Sequence, residues 1–432
     1  VSRKSTKRPA AIVAILLVLQ DLPASAQITN NFGDWQATFS GHARTMYESY
    51  HGLDFGLGPL DDDDWLHQRI QLGGTLSHGE ELKLGAELTW GHMWGKESPL
   101  APPDEDEPDI LQAYAEILLP TASDDLRLKA GRQTLYYGSG RLLAAREGAN
   151  QRLSHDALLL SWQPDKDRRV DAFIASPVRI NPGTFDNISE PGDLRLWSLY
   201  SVMPLPRTED IHFDLYYIGL RDDDSIFAPG GGHETRHTIG TRLWSKDGPE
   251  ILNTEFIAQF GEAGGRDILA GAASLGIGYE FEDLPWHISP QLRADAISGG
   301  DEGGTIHTFH PLFQANNYFN EGGFLSPSNL FNLNPLVTLK PEDGLTFTLG
   351  VNFQWLASTQ DAIYGPPLQK LGTPVPGGNR YLGTAFNASV EWEFAEGTSL
   401  FLGYTHHDAG KALTDIGGED VEYLQGSFRW EF

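Results

Sequence analysis

The 432-residue chain contains no cysteine. That absence removes disulfide scaffolds, thiolate-ligated zinc, cysteine-held iron–sulfur clusters and thiol nucleophiles. It also lacks any run of about 18 apolar residues, so a helical membrane bundle is excluded. Positive charge is scarce: 31 Lys and Arg stand against 59 Asp and Glu, a net charge of −28. A nucleic-acid binder needs a basic face to neutralise phosphates, and the chain as a whole has none to offer. Long helical periodicity is missing as well. What is plentiful is glycine (48) and aromatic side chains (22 Phe, 14 Tyr, 11 Trp). Such a composition suits one large all-β object better than several soluble domains.

Residues 1–26 read as an export signal. Arg3, Lys4, Lys7 and Arg8 form a positive start, Ala10 to Leu19 an apolar core, and Ala24-Ser25-Ala26 a small-residue cleavage site. The apolar core is too short to span a bilayer. Residues 27–432 are then the working domain, and removing the signal makes the charge balance still more negative.

Across that domain the dominant signal is alternation of period two. From Leu345 to Trp355 every odd residue is apolar, and most even ones are small or polar. Similar runs begin at Trp35 and Trp286. They reach ten or more residues, the length of a tilted membrane-spanning strand (about 9–11) rather than of a soluble sandwich strand (about 5–6). Eighteen such segments are present, centred near residues 40, 71, 87, 114, 130, 158, 172, 198, 215, 239, 255, 275, 292, 333, 350, 388, 403 and 427. Their connections alternate. Residues 49–64, 95–108, 298–326, 358–380 and 408–420 make long ones, and 77–81, 120–124, 246–249, 341–344 and 395–398 short ones. The expectation is a closed, antiparallel transmembrane β-barrel of about 18 strands in the outer membrane of a Gram-negative bacterium. An even count puts both ends on the short-turn, periplasmic side. In the last segment Leu424, Phe428, Trp430 and the terminal Phe432 share one face, and Gln425, Ser427, Arg429 and Glu431 the other. A terminal aromatic of this kind is what the barrel-assembly machinery reads.

The bilayer dictates the faces. An open sheet edge cannot be satisfied in hydrocarbon, and a charge on the lipid face at the midplane costs about 2–4 kcal/mol. Charged residues must therefore point inward. Parity places Arg44, Arg69, Lys83, Arg195, Arg242, Arg293 and Arg429 there, with Glu87, Glu116, Asp214, Glu255, Asp295, Glu391 and Glu393. Trp35, Trp286, Trp355, Trp392 and Trp430 fall near strand ends on the apolar face, as an aromatic girdle. A barrel this wide needs a channel or a plug.

Few constellations suggest chemistry. His233-Glu234-Thr235-Arg236-His237 spells H-E-x-x-H, but three glycines precede it and a strand follows. Residues four apart on a strand lie roughly 13 Å from each other, too far to share one zinc. No spacing singles out a Ser–His pair, so an enzyme is not expected, nor any cofactor or metal. Acidic runs at residues 61–64, 104–107 and 222–224 fall on long loops. They are solvated loop, or a means of bridging divalent cations to lipopolysaccharide.

The informative segment runs from Leu126 to Ala157. Arg127, Lys129, Arg132, Arg141, Arg146 and Arg152 stand there against the single acid Glu147. Arginine offers a rigid fork that matches carboxylate or sulfate, and a cationic ring in a low-dielectric lumen focuses anions even when the whole protein is acidic. The alternative is that these arginines simply pair with lumenal carboxylates. Within the segment, Gly131-Arg132-Gln133, Leu135, Tyr137-Gly138, Arg141-Leu142, Arg146-Glu147-Gly148, Asn150, Arg152 and Asp156-Ala157 resemble the alginate export family of outer-membrane barrels. The resemblance implies a monomeric barrel that passes an anionic polysaccharide through an arginine-lined constriction. It implies that Arg132 and Arg152 line that constriction, with Arg141 and Arg146 in or beside it. Parity from Leu126, Leu128 and Ala130 puts Arg132 outward, so a bulge at Gly131 is expected to turn it in. A small carboxylate or oligosaccharide taken up through the same pore is the alternative cargo.

Overall fold

Each alternating segment is a strand, and together they close on themselves. The computed structural model describes residues 28–120, 126–208, 210–227, 232–302, 304–315 and 317–432. The expected signal peptide and most of the turn at residues 120–124 lie outside the described residues, as do two of the glycines before His233. The spanning strands are β1 (Trp35–His51), β2 (Asp62–His78), β3 (Leu82–Trp94), β4 (Asp106–Leu118), β5 (Leu126–Gln133), β6 (His155–Trp162), β7 (Arg169–Arg179), β8 (Leu194–Pro204) and β9 (Ile211–Asp222). The circuit continues with β10 (Glu234–Ser245), β11 (Glu250–Ala263), β12 (Arg266–Tyr279), β13 (Ser289–Ile297), β14 (Leu330–Glu342), β15 (Leu345–Leu356), β16 (Tyr381–Ala395), β17 (Thr398–Ala409) and β18 (Val421–Glu431). Neighbours pair antiparallel all the way round. The last strand pairs with the first, from His42 opposite Glu431 to His51 opposite Glu422. Closure removes every edge, which hydrocarbon requires. No helix among the described residues is long and apolar enough to cross a membrane.

The outer wall carries large exposed apolar side chains, among them Phe39, Leu72, Ile174, Leu199, Leu215 and Leu402. Aromatic rings of the wall cover glycines on the next strand. The Phe432 ring occupies the place where a Gly41 side chain would stand, and backbone hydrogen bonds between the two (3.1 and 3.0 Å) seal the terminus. In the lumen, Tyr216 lies over Gly240 in the same way, with a Cβ at 240 falling 2.2 Å from its ring. Gly240→Val should therefore push Tyr216 off its seat and cost about 1–3 kcal/mol by overpacking. A lowered temperature for conversion of the folded to the unfolded band in gel electrophoresis would show it.

Three expectations need correction. Arg195 shares the parity of the exposed Leu199, while Leu196 and Tyr200 are the buried, lumenal residues of β8. Arg195 is thus on the outer face, near the long-loop rim where water is close. The long-and-short alternation fails once: Gly264 and Gly265, both with positive φ (56° and 77°), join β11 to β12 directly at the long-loop end. Glycine takes two such angles in a row at no steric cost. Finally, the acidic runs are not all loop. Asp62 to Asp64 open β2, and Asp63 is buried, accepting hydrogen bonds from the Glu97 and Ser98 amides at 2.9 Å each. Of the girdle, Trp286 and Trp392 are exposed, whereas Trp430 is buried against Phe432.

The hydrophobic core sits inside the barrel. Two loops, residues 134–154 and 298–329, contribute Leu135, Tyr137, Leu142, Leu143, Phe309, Leu312, Phe319 and Leu325. These pack on Phe173, Leu196, Tyr200, Tyr216, Ile218, Ile257 and Leu330 of the wall. The loops also bond to each other: the Ala144 amide donates to the Phe313 carbonyl (2.9 Å), and the Phe313 amide to Leu142 (2.8 Å). A wide lumen would otherwise be empty, and here it is largely filled by folded chain.

Candidate functional site

Three arginines stand abreast on the lumenal face. Arg69 on β2 is directly opposite Arg44 on β1, and Arg44 is directly opposite Arg429 on β18. Directly opposed like charges destabilise a sheet, so this row needs an answering anion. It comes from the 134–154 loop. The Glu147 carboxylate pairs with Arg69 and, at 2.8 Å, with Arg152. Arg44 donates to the carbonyls of Glu147 (2.5 Å) and Ala149 (2.8 Å), and Arg69 donates to the same two carbonyls. One carboxylate therefore pairs with two guanidinium groups, and backbone carbonyls of the same loop accept from Arg44 and Arg69. Burial would raise the pKa of Glu147, but Arg69, Arg152 and Arg44 outweigh it and hold the group below the usual glutamate range. The Nε atoms of Arg44, Arg69 and Arg429 are buried without a hydrogen-bond partner among the described residues.

The opposite side of the lumen is acidic, yet its acids are already satisfied. Asp171 takes the Tyr137 hydroxyl (2.8 Å), Asp214 that of Tyr200 (2.7 Å), Glu255 that of Tyr216 (2.6 Å) and Asp295 that of Tyr318 (2.9 Å). Arg169, Arg242 and Arg141 add ion pairs to the first three. Asp295 also opens a chain of amides, through Asn332, Asn352 and Asn387 to Thr405. These carboxylates are therefore engaged with the wall and the inner loops, whereas the arginine row presents three cations side by side. Two cavities flank the row. One of about 320 Å³ lies toward the long loops, lined by Glu48, Trp65, Gly148, Ala149 and Asn150 among others. The second, about 330 Å³ and toward the short turns, is lined by Arg429 with Glu391, Glu393 and Glu431.

An alginate export model matches residues 35–427 of this chain. The chain belongs to the alginate export family. No curated protein sequence matches it. Among solved structures, this family member is similar to OccK8 (OprE) of Pseudomonas aeruginosa, with a TM-score of 0.61 at 12% identity, covering 92% of this chain and 98% of that one. It is also similar to OccAB1 of Acinetobacter baumannii, with a TM-score of 0.62 at 13% identity, covering 95% of this chain and 99% of that one. Identities so low speak for the fold alone. Family and fold together make this an outer-membrane, porin-like channel.

The other arginines of the family motif are dispersed. Arg141 crosses the lumen to Glu255 (2.6 Å) and donates to the Tyr318 hydroxyl (2.6 Å), tying the two inner loops to the wall. Arg146 donates to the Gln314 carbonyl (3.3 Å); burial lowers its pKa to about 10, so it stays charged at neutral pH. Arg293 shares the lumenal parity of Asp295 and makes no ion pair among the described residues. Arg132 is not part of the row. The pairing runs through Gly131 unbroken, despite its φ of 125°, and the irregularity lies instead in β4, where Leu111 has no partner between Gln112 and Ile110. Arg132 keeps the parity of Leu128 and Ala130. There it meets Asp156 (3.0 and 3.3 Å) and the carbonyls of Ile110 and Asn187. Residues 180–189 close over the pair, with Ser189 donating to Asp156 (2.7 Å). Sequence parity had Arg44, Arg69 and Arg429 facing inward but carried no sign that they were in register. The H-E-x-x-H letters open β10, where His237 contacts the Tyr217 hydroxyl and His233 contacts Asp223.

Proposed function

We propose that the channel passes an anionic polysaccharide or oligosaccharide, alginate-like in bearing carboxylates along a sugar chain. The observation that supports this reading most directly is the row Arg69–Arg44–Arg429, joined by Arg152 and answered by one carboxylate. Forked guanidinium groups on a lumenal wall offer successive weak holds for carboxylates. The carboxylates Glu391, Glu393 and Glu431 beside Arg429, on the short-turn side where outward-moving cargo enters, keep the hold there weak, as a conduit requires. On this reading residues 1–26 export the chain, Phe432 is read by the assembly machinery, and a single barrel carries its cargo outward.

Uptake of small carboxylates or oligosaccharides is the second reading. The filled lumen favours it, since cavities of about 320 and 330 Å³ hold a sugar or two rather than a bulky chain. Both readings share one test. In a planar bilayer under a salt gradient, the reversal potential should report anion preference, and Arg429→Gln should weaken it about two- to threefold, since Arg429 is one of the three cations in the row. A cation-preferring parent channel would overturn both.

A further inference from the structure

We propose that Glu147 is a tethered competitor for the carboxylate site of the arginine row, latching the 134–154 loop across the lumen until a cargo carboxylate displaces it. The proposal rests on the anion-path reading above and adds to it how the path opens.

Four features carry it. The Glu147 carboxylate sits between Arg69 and Arg152, the forked arrangement that a sugar carboxylate would need. Their exposure is lopsided: the Arg69 side chain is 0% exposed, while that of Glu147 is 45% exposed. The basic half of the pair is thus fixed in the wall, and the acidic half can be reached and exchanged. Next, the loop has a rigid root and a light tip. Leu142 and Leu143 are in the core, and Arg141 and Tyr137 are bound to Glu255 and Asp171. Beyond them, Arg146 takes a left-handed φ of 57°, unusual outside glycine, and a side chain at Gly148 would meet nothing within 4 Å. From Arg146 to Ala149 the tip is held by polar contacts to the arginines, and the buried Asn150 and Gln151 behind it are tied to the His92, Asp104 and Pro103 carbonyls and to Thr89. Last, the tip borders open space. Gly148, Ala149 and Asn150 line the cavity on the long-loop side, and the cavity on the short-turn side is lined by Arg429, which stands opposite Arg44 in the sheet.

A cargo carboxylate entering the cavity on the short-turn side meets Arg429, whose Nε Glu147 leaves without a partner. Passing on to the neighbouring Arg69–Arg152 fork, it competes with Glu147, and the tip is released with its own carboxylate turned to water. Neutral sugars would not open the path.

The absence of cysteine makes the test direct. Ala149→Cys in the full chain gives a single thiol whose labelling by a membrane-impermeant reagent reads tip movement. Glucuronate should speed that labelling several-fold over an equal concentration of glucose. Adding Glu147→Gln should bring the fast rate without glucuronate, abolish the response to it, and raise single-channel conductance. Glu147→Asp, which keeps the charge on a shorter arm, should fall between, and retained heat-modifiable mobility will confirm the folded barrel. Unchanged labelling and conductance in Glu147→Gln would overturn the latch. If the parent is anion-selective in that case, the anion-path reading stands; a parent without anion preference removes the anion-path reading itself.

Discussion

Arg69→Glu should cut the anion-to-cation permeability ratio by on the order of tenfold, equivalent to about 1.4 kcal/mol in the relative barriers. Arg69 is wholly buried between Arg44 on the next strand and the Glu147 carboxylate. At about 5 Å and an effective dielectric constant near 20, two unit charges interact by about 3 kcal/mol, and open lumenal water screens part of that. Reversing the sign at 69 turns Glu147 from partner to rival and supplies Arg44 and Arg152 with a permanent counter-ion. Four cations against one anion become three against two. The variant should still fold, because the new carboxylate lies among arginines rather than apolar groups. Arg69→Gln, which deletes the charge without reversing it, should give roughly half the shift on a logarithmic scale. The check is the reversal potential in a salt gradient. An unaltered ratio in Arg69→Glu would mean that ions do not pass the row.

The barrel was legible because its physics is local. Alternation, strand length and the terminal aromatic each follow from a bilayer on one side and water on the other, and all eighteen expected centres fall in spanning strands. Parity failed where the strand meets the rim. At Arg195 the bilayer no longer forbids an outward charge, so the rule that assigned it had no force there. Arg132 shows the same limit. Parity alone calls for a bulge at Gly131 to turn Arg132 inward, but a folded loop, residues 180–189, and Asp156 satisfy it on the outer side without one. The register that sets Arg44 against both Arg69 and Arg429 depends on barrel closure, which no window of sequence contains. Loop placement was also out of reach. Residues 134–154 read as a basic loop, and nothing in their order says that Glu147 turns back onto the wall while Leu142 and Leu143 enter a core shared with Phe313. Burial of those leucines inside the lumen is a long-range choice, made only once the wall exists.

Glu255→Leu should free the root of that loop while leaving the wall intact. Glu255 is 4% exposed and accepts from Arg141 (2.6 Å), the Tyr216 hydroxyl (2.6 Å) and the Ser139 hydroxyl (3.4 Å). Without it, Arg141 keeps only the Tyr318 hydroxyl as a close acceptor, and a buried guanidinium loses its anion. Breaking a buried pair from one side costs about 3–5 kcal/mol. The cost falls on the loop, since the backbone ladders joining β11 to β10 and β12 do not involve the side chain. Loop 134–154 would then leave the lumen for part of the time, exposing Arg141 and Arg146 to trypsin and adding large, noisy conductance steps. The parent should resist cleavage there. Arg141→Leu together with Glu255→Leu should recover most of the protection, because leucines at both positions bury no charge and add to the apolar cluster of Leu142, Tyr216 and Ile257. A double variant as sensitive as the single one would show that Arg141 anchors the loop through Tyr318 and not through Glu255.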